Sequence, residues 1–209
     1  MSESIVQYSE SYSTGLTQWE EDIVKITQEE LNYTNMLSSP AEISLMKQFI
    51  SLTGAKRALE IGMFTGLMTT AIADAMGENS EIITTELNPK YMAAAEIGLD
   101  QLPFRDRIQL KKGSAIRTIM EIMEEKPFDI IFIDADKEMY PVYYDLLLPR
   151  LKSTGILILD NMLWKGKVID LSDRKSKVLH ELNKQITLDK RVQNALLHGY
   201  DGWQMVSWM

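Results

Sequence analysis

The sequence predicts a doubly wound α/β fold, a mostly parallel sheet with helices on both faces, and three observations carry that reading. A short apolar run followed by a helical pattern recurs five times along the 209 residues. The runs are β-branched and barely alternate, as strands buried on both faces of a parallel sheet do. Each run leads to a glycine or an acid, residue types that suit the strand-to-helix turn where such sheets bind ligands.

Taken in order, Ala58-Leu59-Glu60-Ile61 precedes Gly62 and a helix-compatible stretch from Met68 to Met76. Ile82-Ile83-Thr84-Thr85 precedes Glu86, and Pro89 suits the first turn of a helix running to Leu99. Ile108-Gln109-Leu110 leads to Gly113 and a helix over Ile116–Met123. Phe128–Ile133 leads to Asp134 and a helix around Tyr140–Leu148, and Gly155–Leu159 leads to Asp160. The end differs: Val192–Leu197, the turn Gly199-Tyr200-Asp201-Gly202 and Trp203–Ser207 predict a closing antiparallel hairpin. Residues 1–50 read as a helical N-terminal extension, and no linker or repeat divides the chain, so one domain over 1–209 is expected.

Hydrophobic residues at 45% and charged residues at 25% are ordinary globular composition and exclude a disordered or fibrous chain. The net charge of −8 disfavours nucleic-acid or anionic-membrane binding through bulk charge. Seven of the 30 acids, against one base, fall in residues 1–40, so the remainder is close to neutral, with 23 acids and 21 bases. The absence of cysteine excludes disulfides, thiolate catalysis and cysteine-ligated metals. No apolar run approaches the ~20 residues of a membrane span, and the polar start Met1-Ser2-Glu3-Ser4 is unlike a signal peptide. A cytoplasmic protein without membrane attachment is expected.

The chemistry-bearing residues fall at the strand ends. In Glu60-Ile61-Gly62-Met63-Phe64-Thr65-Gly66 the glycines let backbone approach a ligand, but the spacing is not the G-x-G-x-x-G of a dinucleotide site. Glu86, ending the second strand, is placed to accept hydrogen bonds from both hydroxyls of an adenosine ribose. Asp134, Asp160 and Asn161 offer two carboxylates and an amide oxygen, hard donors that suit Mg²⁺, Mn²⁺ or Ca²⁺. The plainer alternatives are a helix cap for each aspartate and, for Lys137, a surface lysine paired with Glu138 or Asp136. A lysine held near a cation and partly desolvated is instead a candidate general base.

Together, Glu60–Gly66, Phe132-Ile133-Asp134-Ala135-Asp136-Lys137 and Asp160-Asn161-Met162-Leu163-Trp164-Lys165-Gly166 resemble the cation-dependent O-methyltransferases of the caffeoyl-CoA and catechol type. The resemblance runs from about Met36 to the C-terminus and includes Asn35-Met36-Leu37-Ser38-Ser39-Pro40 and Asp201-Gly202. It implies a Rossmann-like class I methyltransferase with a seven-stranded sheet, S-adenosylmethionine as cofactor, and a homodimer. Asp134, Asp160 and Asn161 would be the metal ligands and Lys137 the base. Glu60, Gly62, Glu86 and Ala115 would contact the cofactor, Met36 and Ser38 would close over its amino-acid end, and Asp134 would also face its methionine moiety. Trp164 and Tyr140 match positions near the acceptor, with a core or rim aromatic as the equal alternative for Tyr140. Met68 stands where the family commonly has a small hydroxyl, so the bond to the methionine carboxylate falls to Thr65 or is absent. Glu86 is one methylene longer than the usual aspartate, and the stretch after Trp164 is shorter than in many relatives.

The expected activity is divalent-cation-dependent methyl transfer to a hydroxyl of a small catechol-like or phenylpropanoid acceptor. A tRNA hydroxyuridine O-methyltransferase of the same fold is the alternative, prompted by eight bases against four acids in residues 165–191. That stretch reads first as a solvated helix face, and otherwise as a dock for an anionic tail. An NAD(P)-dependent oxidoreductase and a non-catalytic module rank lower. The missing glycine counts against the first and the intact Asp134, Lys137, Asp160, Asn161 set against the second.

Overall fold

The computed structural model describes residues 4–199 and 201–209; Met1, Ser2, Glu3 and the Tyr200 of the predicted hairpin turn lie outside the described residues. Seven strands form one mixed sheet: β1 (Arg57–Ile61), β2 (Glu81–Glu86), β3 (Ile108–Lys112), β4 (Phe128–Ile133), β5 (Leu151–Leu159), β6 (Val192–Leu197) and β7 (Trp203–Trp208). Their order is β3-β2-β1-β4-β5-β7-β6, the doubly wound arrangement expected, with β7 and β6 as the closing hairpin. The chain divides into two compact units, one taking in residues up to Lys56 with Met63–Lys112, the other Arg57–Gly62 with Gly113–Met209.

The first unit holds the helical extension: α1 (Ile5–Ser11), α2 (Gln18–Leu31) and α3 (Pro40–Thr53), joined by α4 (Leu67–Met76) and α5 (Pro89–Leu99). Helix α3 starts where Ser39 caps it and Pro40 presets its first turn. Ile23, Ile43, Met46, Ile50, Ile72 and Leu99 are buried at its core. Glu20 is wholly buried yet satisfied in charge: Lys47 Nζ on α3 lies 2.6 Å from one oxygen, and the Thr17 amide donates to the other at 2.7 Å. Strands β2 and β3 pair in parallel, with Glu86 in register with Lys112.

In the second unit β1 pairs with β4 and β4 with β5, all parallel, so that Ile61, Ile133 and Leu159 stand abreast. Every residue of β1 is buried, Arg57 and Glu60 included, whereas β6 at the sheet edge buries Val192 alone. Helices α6 (Ala115–Glu121), α7 (Tyr140–Leu147), α8 (Lys167–Asp170) and α9 (Arg174–Leu188) complete it. Most boundaries shift by one or two residues from expectation; helix α6, for example, runs from Ala115 to Glu121 rather than from Ile116 to Met123. The larger change is in strand β5, which begins at Leu151 rather than Gly155: Lys152, Ser153 and Thr154 are polar and not buried, so no apolar run announced them. Among the described residues no helix is long and apolar enough to cross a membrane.

Candidate active site

In the first unit, β2 delivers Glu86 to its carboxyl end. The Phe64 amide donates to Oε2 at 2.8 Å and the Asn88 amide to Oε1 at 2.7 Å, so two backbone groups orient the carboxylate. A carboxylate has about four acceptor positions, so a diol remains within its capacity. Phe64 itself has φ 55°, a left-handed conformation unusual for an aromatic residue. Its ring sits 4.8 Å from that of Tyr91 and 6.2 Å from that of Tyr33, and the two phenol oxygens are 3.0 Å apart. Met36, half exposed, and Ser38 stand on the connector between α2 and α3.

Thr65 is engaged within the fold. It is buried, and its hydroxyl lies 2.7 Å from that of Thr27, which donates to the Ile23 carbonyl at 2.7 Å. It ties the glycine turn to α2. Met68 is buried in α4 and has no hydroxyl to substitute.

In the second unit, Asp134 and Asp160 each follow the last residue of adjacent parallel strands. The Asp134 amide donates to Ile61 O at 2.8 Å and the Asp160 amide to Ile133 O at 3.0 Å, extending the ladder one step; Asp160 is buried, and its Oδ1 accepts from the Asn161 amide at 2.5 Å. Lys137 is buried, and its Nζ lies 2.6 Å from Asp134 Oδ1 and 2.5 Å from the Tyr140 hydroxyl. It is therefore neither a surface lysine nor a partner of Glu138 or Asp136. Asp136 is a cap, its side chain accepting from the Glu138 amide at 3.2 Å.

Tyr140, considered beforehand as an acceptor-side or core aromatic, is a core residue with 0% exposure. Its hydroxyl reaches Ile133 O at 3.0 Å and Asp160 O at 3.1 Å, bridging the ends of β4 and β5 beneath the aspartates. Burial above all, then the charges of Asp134 and Asp160, push its phenol well above the ordinary value, so it serves as a neutral hydrogen-bonding group. Gly62 also serves the fold. At φ 95°, a Cβ there would lie inside contact distance of the Asp134 carbonyl oxygen and 2.7 Å from the carbonyl carbon. The close approach it permits is that of β4's own backbone. Glu60 is wholly buried in β1 opposite Phe132, and Ala115 is the first residue of α6.

Beyond Asp160 the chain turns through Asn161 at φ 57° into a loop carrying Trp164 at φ 47° and Lys165 at φ 55°. The Met162 amide donates to Gly202 O and the Leu163 amide to Asp201 O, both at 2.9 Å, while the Lys165 amide donates to the Asp201 carboxylate. Gly202 is required there, since a Cβ would lie 2.5 Å from Leu163 Cγ. The Asp201-Gly202 pair thus holds the loop that positions Asn161. Trp164 is half-buried, its indole N–H donating to Asp173 Oδ2 at 3.2 Å. Asp173 is a participant that sequence reasoning missed; it announces only a helix start, through its spacing to Ser176. Phe64 and Asp201 were noticed only as members of their motifs, with no role given to either. Within the basic stretch, Lys167, Arg174, Lys184 and Arg191 are ion-paired with Asp173, Glu138, Glu181 and Asp189, as befits a solvated face.

Among the described residues no three His, Asp or Glu side chains gather into a metal cluster. The donor set is two carboxylates and an amide, whose all-oxygen chemistry fits a hard divalent cation completed by water or substrate. The sheet order β3-β2-β1-β4-β5-β7-β6, with β7 antiparallel to β5, is the architecture of a class I methyltransferase. A model of the O-methyltransferase family matches residues 10–208, and the chain belongs to that family. It is a S-adenosylmethionine-dependent O-methyltransferase. It is 32% identical over 215 residues to a probable caffeoyl-CoA O-methyltransferase 2 of Dictyostelium discoideum, covering 98% of this chain and 91% of the relative. A catechol O-methyltransferase of Niastella koreensis is 34% identical over 176 residues, covering 81% and 79%. Among solved structures, an SAH-bound methyltransferase of Podospora anserina superposes with a TM-score of 0.88 at 26% identity, covering 97% and 92%. An O-methyltransferase from Bacillus cereus in complex with SAH gives 0.89 at 25% identity, covering 98% and 97%.

Proposed function

We propose that the enzyme methylates one hydroxyl of a small aromatic acceptor bearing two adjacent oxygens, a catechol-like or phenylpropanoid compound, with a divalent cation, Mg²⁺ first, held by Asp134, Asp160 and Asn161. The observation that carries the reading is that Asp134 and Asp160 directly follow the paired ends of β4 and β5, Ile133 and Leu159, with Lys137 Nζ 2.6 Å from Asp134. The catechol and caffeoyl-CoA names of the relatives agree with it.

S-adenosylmethionine supplies an electrophilic methyl carbon, and the bound cation lowers the pKa of the acceptor hydroxyl. The chain's residues hold and prepare the partners. Glu86, fixed by the Phe64 and Asn88 amides, takes the ribose hydroxyls. Lys137 receives the acceptor proton on Nζ, Asp134 accepts a hydrogen bond from that nitrogen, and the Tyr140 hydroxyl holds it in place. Trp164 offers an aromatic wall to a planar ring. Positioning of both reactants in line contributes most, about 7–11 kcal/mol in favourable cases.

The test compares a catechol with its mono-deoxy phenol at saturating cofactor, with and without chelator. Two adjacent oxygens restrain rotation, so the phenol is expected to lose at least about tenfold in kcat/KM. A phenol equal to the catechol, or full activity in excess EDTA after metal removal has been verified, overturns the acceptor or the metal assignment respectively. For the cofactor, Glu86→Ala should weaken S-adenosylmethionine binding in calorimetry by about 1.5–3 kcal/mol, the worth of hydrogen bonds to a charged group. Glu86→Gln, which retains an acceptor for the Phe64 amide, should lose less. Unchanged affinity in both removes Glu86 from the site.

A further inference from the structure

The segment after the candidate metal residues is held in a conformation its own residues do not favour. Trp164 and Lys165 are consecutive left-handed residues, neither of them glycine, and such strain persists only where surrounding contacts over-determine it. The backbone is secured by Asp201 and Gly202, and by Asn183 Nδ2, which donates to Met162 O at 3.2 Å. Those contacts set where Trp164 begins. They do not set where its ring points.

We propose that Asp173 is the positioning residue that fixes the ring of Trp164 and thereby sets acceptor specificity. The proposal rests on the reading that Trp164 lines the acceptor site. The two oxygens of Asp173 divide the work. Oδ1 accepts from the Ser176 amide at 2.8 Å and so caps α9, while the Asp173 amide donates to Ser176 Oγ at 3.1 Å. Oδ2 accepts from the Trp164 indole at 3.2 Å and from Lys167 Nζ at 3.0 Å. A cap on a 15-residue helix is thus made to hold an indole. The Ser176 amide first, then Lys167, keeps the Asp173 carboxyl at about 2, so it is ionised at any assay pH. The bond to the indole is accordingly charge-assisted and directional. Lys175 Nζ, 5.4 Å over the ring, adds a second restraint from the same helix. The orientation of Trp164 is therefore referred to α9, a packed helix with Leu179, Leu182 and Ile186 buried, rather than to its own strained loop.

The experiment uses Asp173→Ser, in which one short oxygen still caps α9 while the oxygen that reaches Trp164 and Lys167 is lost. Asp173→Asn keeps cap and shape but loses the charge, and stands in if the serine variant fails to fold. Both are combined with Trp164→Phe. Asp173→Ser is expected to raise KM for the catechol about tenfold, the equivalent of one charge-assisted hydrogen bond, with kcat little changed. In the Trp164→Phe background it should add nothing, because the group it acts through is gone. Independently of turnover, the Trp164 indole N–H signal in proton–nitrogen spectra, assigned by its loss in Trp164→Phe, should shift and exchange faster with water. An unmoved indole signal, or KM effects that simply add, overturns the proposal. A KM raised by Trp164→Phe but not by Asp173→Ser also rejects the role of Asp173 and leaves the acceptor reading standing. A KM that Trp164→Phe leaves unchanged rejects the placing of Trp164 at the acceptor, and the proposal with it.

Discussion

Gly62→Ala is expected to destabilise the chain by several kcal/mol and to depress activity even in the fraction that folds. Two costs combine. A non-glycine residue at φ 95° adopts a sparsely populated backbone region, worth of order 1–3 kcal/mol. The added methyl also meets the Asp134 carbonyl oxygen, a backbone atom at the end of a buried strand that cannot swing aside as a side chain would. Overpacking of that kind costs typically about 1–3 kcal/mol more. Against a total stability of about 5–15 kcal/mol, the urea midpoint should fall markedly. Relief by moving β4 outward displaces Asp134, and a misplacement of about 1 Å at a catalytic constellation can cost about 100-fold in rate. Gly15→Ala is the control, since nothing lies within 4 Å of a Cβ there. Equal midpoints for the two variants would show that the β1 turn yields more easily than its contacts imply.

Lys137→Ala is expected to lower kcat by about 10²–10⁴, the usual contribution of a positioned acid or base, without weakening cofactor or metal binding. The metal expectation follows from the hydrogen bond that Lys137 makes. Its Nζ occupies Asp134 Oδ1 at 2.6 Å, and its removal leaves that oxygen open to a divalent ion. Tyr140→Phe should produce a smaller loss, since Lys137 keeps its contact with Asp134 but loses the hydroxyl 2.5 Å from Nζ. Stopped-time methyl-transfer assays with metal titration separate the two effects. Wild-type kcat in Lys137→Ala would make the lysine a structural counter-ion of Asp134 and assign proton removal elsewhere.

The alternation of buried apolar runs and helical patterns was enough to derive the sheet and the edge at which the site lies. That signal is local: period and burial are written in consecutive residues, as in Phe128–Ile133, which forms β4 with the boundaries expected. The candidate acids were legible for the same reason, because a polar residue ending an apolar run is conspicuous. What each side chain does was decided by groups distant in sequence. Thr65 meets Thr27, 38 residues away, a contact that ties a turn to a helix. Gly62 makes room for the backbone of Asp134. Tyr140 lies three residues from Lys137, but its bridge to Asp160 O depends on β4 and β5 being neighbours. Asp173 reads as a helix cap and nothing more until the loop folds Trp164 back onto it. Hydrogen-bond direction and packing contacts exist only once remote segments meet, so the strand ends were determined by sequence and the partners of their side chains by tertiary structure.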